Sequence, residues 1–177
     1  MKMKSTGILL LSAGIFFSCA TTYYQAGVRN QKRFKGQEME DADYLMRSSD
    51  DLLLLKTLSV SGKDRTNSKN LYLRAEYLIE RIKDHEFKVQ LVAKSRRISL
   101  ATELSQPADD KLHLLLNYDR QLFDSIYFDF VIKRLKRIND RSHRYKMKGN
   151  DQGIKNLSVN LEKMTKDALL RFSDEYL

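Results

Sequence analysis

Seven residues constrain the fold more tightly than any other feature of the chain. Leu71, Ala75, Leu78, Ile82, His85, Val89 and Val92 recur at spacings of 4, 3, 4, 3, 4 and 3. Residues three and four apart share a helical face, so this rhythm lays one stripe along an α-helix; a strand would need alternation at every second residue. Beyond Val92 the register slips, and Ala93, Leu100 and Leu104 carry the stripe past Arg96 and Arg97. The spacing predicts a helix over 68–104, roughly 55 Å long at 1.5 Å per residue.

The rest of the chain is equally short of breakers. Among 177 residues Pro107 is the sole proline, and five of the seven glycines lie beyond residue 20. Few turn residues with abundant Leu, Lys, Glu and Arg predict an all-α protein. Met39, Ala42, Met46, Leu53 and Leu54 predict a first helix over 37–60, closed by Ser61-Gly62. The leucines of "DDLLLL" there read either as part of the stripe or as a buried core segment. Pro107, Asp109 and Asp110 suit the start of a third helix, since proline fits a first turn and acids complement the positive end of the dipole. Leu112, Leu115, Leu116, Leu122, Phe123, Ile126, Phe130, Leu135 and Ile138 carry it to about 139. After "KGND" at 148–151 a fourth helix spans 152–176, with Ile154, Leu157, Leu161, Met164, Ala168 and Phe172 on one face. The expectation is one domain over 37–177, an elongated antiparallel bundle of about four helices. The short break at 105–107 folds the second and third helices into a hairpin.

The first residues, "MKMKSTGILLLSAGIFFSCATT", form a different unit. Lys2 and Lys4 precede an uncharged, mostly apolar run that is too short to span a bilayer, and small residues follow it. This is a secretory leader over 1–18. Within it, Ser18 followed by Cys19 resembles the processing site of bacterial lipoproteins, with Phe16 and Phe17 bulkier than the residues that family prefers. The resemblance covers about the first 20 residues. It implies a diacylglyceryl group on the Cys19 thiol, cleavage between Ser18 and Cys19, and, with Ala20 following, the outer membrane facing the periplasm. Ser18-Cys19-Ala20 also fits ordinary signal peptidase, and a cut after Ala20 would release a soluble periplasmic protein. Cys19 is the one cysteine, and a leftover thiol in an exported chain is accounted for by lipidation.

Residues 19–36 then read as the lipidated cysteine and a basic tether. Arg29, Lys32, Arg33 and Lys35 occur there without an acid, with Tyr23, Tyr24 and Phe34 nearby, a composition suited to anionic lipid at a membrane surface. Removing residues 1–18 takes away two of the 32 basic residues and none of the 23 acidic ones, so the formal charge falls from +9 to +7.

Chemical motifs are sparse. His85, His113 and His143 are far apart, "HEF" at 85–87 lacks the second histidine of a zinc helix, and there is no cysteine pair, nucleophile elbow or phosphate-binding glycine loop. No cofactor and no metal are implied. His85 falls on the apolar seam and reads as a hydrogen-bonded seam residue or a pH-sensitive contact. Asp50-Asp51 and Asp109-Asp110 diverge by about 100° on a helix, so neither makes a facing carboxylate pair; both read as dipole-facing or solvated acids. The strongest bias is "KRLKRINDRSHRYKMK". Lys133, Arg134, Lys136, Arg137, Arg141, Arg144, Lys146 and Lys148 stand against Asp140 alone. With Leu135 and Ile138 facing the core, these bases are expected on the outer side and in the following loop. They form either a solvated helix end or a patch for an anionic partner: lipid, a wall polymer or an acidic protein. Export makes nucleic acid an unexpected partner.

The expected function is that of a membrane-anchored envelope lipoprotein, a non-enzymatic scaffold or adaptor binding a protein partner through its bundle. Two alternatives are a surface-exposed lipoprotein binding a host or polyanionic ligand, and a cell-wall-active enzyme with acids assembled across helices.

Overall fold

The computed structural model describes residues 20–173. Ser18 and Cys19, and with them the cleavage and lipidation sites, lie outside the described residues. Those described form six helices and no strand: α1 Tyr23–Arg33, α2 Gln37–Arg65, α3 Lys69–Ser95, α4 Gln106–Leu116, α5 Arg120–Lys148 and α6 Gln152–Ser173. The all-α expectation holds. The count of about four does not, because two short helices join four long ones.

The first addition is α1, inside the segment expected to be a tether. Thr22 and Gln25 form a reciprocal capping box: the Thr22 hydroxyl accepts from Gln25 N, and the Gln25 side chain accepts from Thr22 N, both at 3.2 Å. Only Ala26 and Asn30 of this helix are buried, too narrow a stripe to register as a periodic signal. Asn30 does the docking. Its side chain accepts from Ser99 N at 2.8 Å and donates to Ser99 O at 2.9 Å, imitating a backbone pair. Ahead of it, Thr21 N donates to Thr102 Oγ1 at 2.8 Å, and Thr102 N donates to Thr21 O at 2.9 Å.

The second addition comes from splitting the third helix. α4 ends at Leu116 and α5 begins at Arg120. Arg65, from the end of α2, donates to the carbonyls of Leu116 and Tyr118 across this break, supplying partners that a helix end lacks. α5 then runs nine residues past the expected end at 139 and takes in the basic stretch.

α3 stops at Ser95, well short of 104. Arg97 adopts a left-handed φ of 55°, Ile98 N reaches back to Ala93 O, and Arg97 N reaches Lys94 O. This is a Schellman termination with arginine where glycine is usual. α2, by contrast, continues through Gly62 to Arg65.

The long helices pack as two hairpins, α2 with α3 and α5 with α6, each joined by a three-residue connection. The expected hairpin of the second and third helices is therefore not the one formed. α2 meets α5 and α3 meets α6, closing a four-helix ring around one core. α1 and α4 lie on α2. With neighbours on so many sides, α2 buries Leu52, Leu54 and Leu55 together, the buried-segment reading of its leucine run. The α3 seam is buried as the spacing requires, from Ala75 through Leu78, Ile82 and His85 to Val89.

Candidate functional site

α2, α4 and α5 leave a cleft of about 310 Å³ between them. Its floor is Asp51. This residue is 3% exposed, and its carboxylate accepts from two arginines of α5, Arg134 and Arg141. The Arg141 bond is 2.6 Å long, and Arg134 is itself only 7% exposed. The two guanidiniums are seven residues apart on α5, two turns along one face, which brings both to a single acid. Asp50 points elsewhere. It accepts from Ser105 N at 2.8 Å and from the Ser105 hydroxyl at 2.7 Å, fastening the start of α4 to α2.

The rim carries Lys111 from α4, Arg137 from α5, Arg47 from α2 and Tyr23 from α1. Arg47 is engaged by Asp43, one turn earlier, and that hydrogen bond holds its guanidinium above the usual pKa. In total five bases line the cleft against two acids. A second hollow of about 270 Å³ adjoins it through Arg47 and Arg141, with Arg144 and Lys148 on its wall. Its base is the stacked pair Tyr44 and Tyr145, whose ring centroids are 4.1 Å apart. The Tyr145 hydroxyl donates to Asp41; burial first, and then that carboxylate, raise its pKa.

The buried acid of α6 is Glu162. It accepts from Lys166 at 2.7 Å and Lys146 at 3.0 Å, with His143 Nδ1 at 3.2 Å. Lys166, then Lys146, with His143 a smaller contributor, lower its pKa from 4.5 to about 2. At the far end of α3, Arg96 forks onto Asp151 at 2.6 and 2.7 Å, and Asp151 also accepts from Ile154 N to start α6.

These contacts redistribute the basic stretch. Arg134, expected on the outer side, and Arg141, expected in the loop after the helix, both turn inward because α5 continues to Lys148 packed against α2, where Asp51 needs partners. Lys146 is bound to Glu162. Arg137, Arg144 and Lys148 sit on the walls of the two hollows, and Lys133 and Lys136 remain exposed. Asp51, expected to be solvated or dipole-facing, is instead the buried centre of an ion cluster. Of the N-terminal bases, Arg29, Lys32 and Lys35 are exposed, while Arg33 donates to the Arg97 carbonyl.

His85 is a satisfied seam residue, its Nδ1 2.8 Å from the Arg81 carbonyl oxygen. His113 lies 3.5 Å from Asp109 at the surface of α4. Among the described residues no group of three or more His, Cys, Asp or Glu is arranged to hold a metal ion, and no helix is long and apolar enough to cross a membrane.

Sequence reasoning missed Asp51, Glu162, Lys111 and Tyr23. Asp51 carried a partial signal, an acid followed at once by Leu52 to Leu55, where an unpaired charge would be costly; Glu162 carried none, with Ser158, Lys163, Thr165 and Lys166 around it on α6. Lys111 and Tyr23 carried none, because their place in the cleft depends on tertiary docking. Comparison with protein-family models, curated proteins and solved structures finds no match.

Proposed function

We propose that the protein is a membrane-anchored envelope lipoprotein acting as a non-enzymatic adaptor, held by a lipid on Cys19 and binding a protein partner through its helical body. The observation that carries the reading is a set of exposed apolar side chains on α3, opposite the buried seam: Phe87 and Leu91 one turn apart, and Leu73 nearer the start of the helix with the exposed Glu80 and Asp84 between. Leu73, Phe87 and Leu91 are 50%, 65% and 57% exposed. At 100° per residue they fall within about 40° of one another, and Leu73 to Leu91 spans roughly 27 Å. A single helix that buries one face and presents leucine and phenylalanine on the other suits a helical or grooved partner.

Further support comes from the N-terminal docking. Thr21 is tied to Thr102 by paired hydrogen bonds, so the folded body begins two residues after Cys19. Arg29, Lys32 and Lys35, exposed in the second half of α1 and just past its end, would be favoured by anionic lipid if this helix lies along the bilayer. The buried carboxylates Asp51 and Glu162 are saturated by bases, an arrangement suited to structure and less to proton transfer at a reaction centre.

Two measurements test the reading. Palmitate labelling should mark the wild type and not Cys19→Ser; an unlabelled soluble product beginning at Thr21 would overturn the anchor. Gentle detergent extraction followed by affinity capture should recover a partner that a Phe87→Glu, Leu91→Glu variant fails to hold. Equal recovery by both proteins would remove α3 as the docking face.

A further inference from the structure

We infer that the cleft between α2, α4 and α5 is a receptor site for a phosphate group. Asp51 carries one negative charge and holds two guanidiniums, both in largely buried positions. The cluster is therefore one positive charge in excess where desolvation makes such an excess expensive. Arg137 and Lys111 add two more cations on the rim, and among the lining residues Asp50 is the one further acid, with both of its oxygens engaged by Ser105. A site with this balance is completed by an anion of high charge.

Geometry narrows the class. A guanidinium carries five N–H donors in a planar fork, so one bond to Asp51 leaves each arginine donors suited to an oxyanion. Arg134 and Arg141 stand on the floor, Arg137 between them in sequence, and Lys111 opposite on α4. Four cations converging from two helices suit a tetrahedral phosphate better than a planar carboxylate. The volume, about 310 Å³, is at the small end of ligand sites, sized for a headgroup and not for a large cofactor. The first turn of α4, through Ser105, Pro107 and Ala108, lines the same cleft and adds the positive end of a helix dipole.

The phosphate has two possible sources, free phosphate or a lipid headgroup. Tyr23 lines the cleft, four residues after Cys19. On the anchored reading of the previous subsection, which this one point depends on, the opening lies at the bilayer surface and the headgroup is the source. The site itself does not depend on the anchor.

The test uses the full chain in detergent, with inorganic phosphate as the probe at constant ionic strength. Phosphate should raise the midpoint of thermal unfolding where equal chloride does not. Lys111→Ala, Arg137→Ala should weaken that response about tenfold in phosphate concentration while the circular dichroism stays helical. Lys155→Ala, Lys163→Ala on α6 removes the same charge elsewhere and should leave the response intact. Absence of a phosphate effect, or equal loss in both double variants, overturns the proposal. Co-sedimentation then separates the sources. Vesicles of phosphatidylcholine with phosphatidic acid should retain more protein than vesicles matched in surface charge with phosphatidylglycerol, and the cleft variant should abolish the difference. A phosphate response without that preference assigns the site to free phosphate. Because the detergent arm needs no acyl chain, failure of palmitate labelling and failure of phosphate binding are separate results.

Discussion

Gly62 lies within α2, and a Cβ added there would stand 2.7 Å from the ring of Tyr127. That ring is fully buried, and its hydroxyl is 3.5 Å from Ser59 Oγ, so it has no room to retreat. Glycine is normally a penalty in a helix, and Gly62 reads in the sequence as a terminator for that reason. Here it is a seat for an aromatic ring from α5, which no local pattern could reveal. Gly62→Ala should destabilise by about 1–3 kcal/mol despite its better helix propensity, measured by urea unfolding. Arg97 is the opposite case. It occupies a left-handed position without a steric reason to be arginine, so the end of α3 carried no glycine to announce it. Arg97→Gly should stabilise by about 0.5–1 kcal/mol, read as a higher denaturant midpoint at unchanged slope.

Between helices, two buried acids join neighbours across the apolar core, Asp51 from α2 to α5 and Glu162 from α6 to α5. Asp51→Ala would leave Arg134 and Arg141 facing each other without their counter-ion and should cost about 3–5 kcal/mol. Glu162 gives a pH signature. Its folded pKa, about 2, lies below the ordinary 4.5. Its contribution is therefore complete above pH 4.5 and is lost as the pH falls from there through about 2. Wild type should lose stability over that window. Glu162→Gln should be less stable at neutral pH and show a shallower acid decline, followed by chemical unfolding at each pH. The same scale explains which helices were legible. α3 and α6 present long stripes with regular spacing, and their existence and buried faces follow from sequence. The break between α4 and α5 did have a sequence signal, Asn117 at a helix end and Asp119 at the next start; the broad apolar face running across it from Leu116 to Leu122 masked it. Within the candidate site, the basic run of α5 was evident. Its inward pair was not, because that depends on where α2 places Asp51.

For the molecule as a whole, the docking of α1 decides how the body relates to its N-terminus. Asn30 carries that docking with two bonds to Ser99 and a 3.0 Å contact from Nδ2 to Met46 Sδ. Asn30→Ala should release α1 while sparing the four-helix ring. Limited trypsin should then cut after Arg29 and Lys32 much sooner than in wild type, with the 37–173 core persisting on the gel. Equal cleavage rates would mean that the Thr21–Thr102 and Arg33–Arg97 contacts hold α1 without Asn30.

The clasp between Thr21 and Thr102 also sets a distance. Two residues of extended chain reach at most about 7 Å, so a body anchored at Cys19 cannot rise further than that from the headgroups or swing freely above them. On the proposed anchored reading, the protein would work at fixed height. It would meet only what is itself in the membrane or reaches down to it, and would not search across a wide compartment as a tethered domain does.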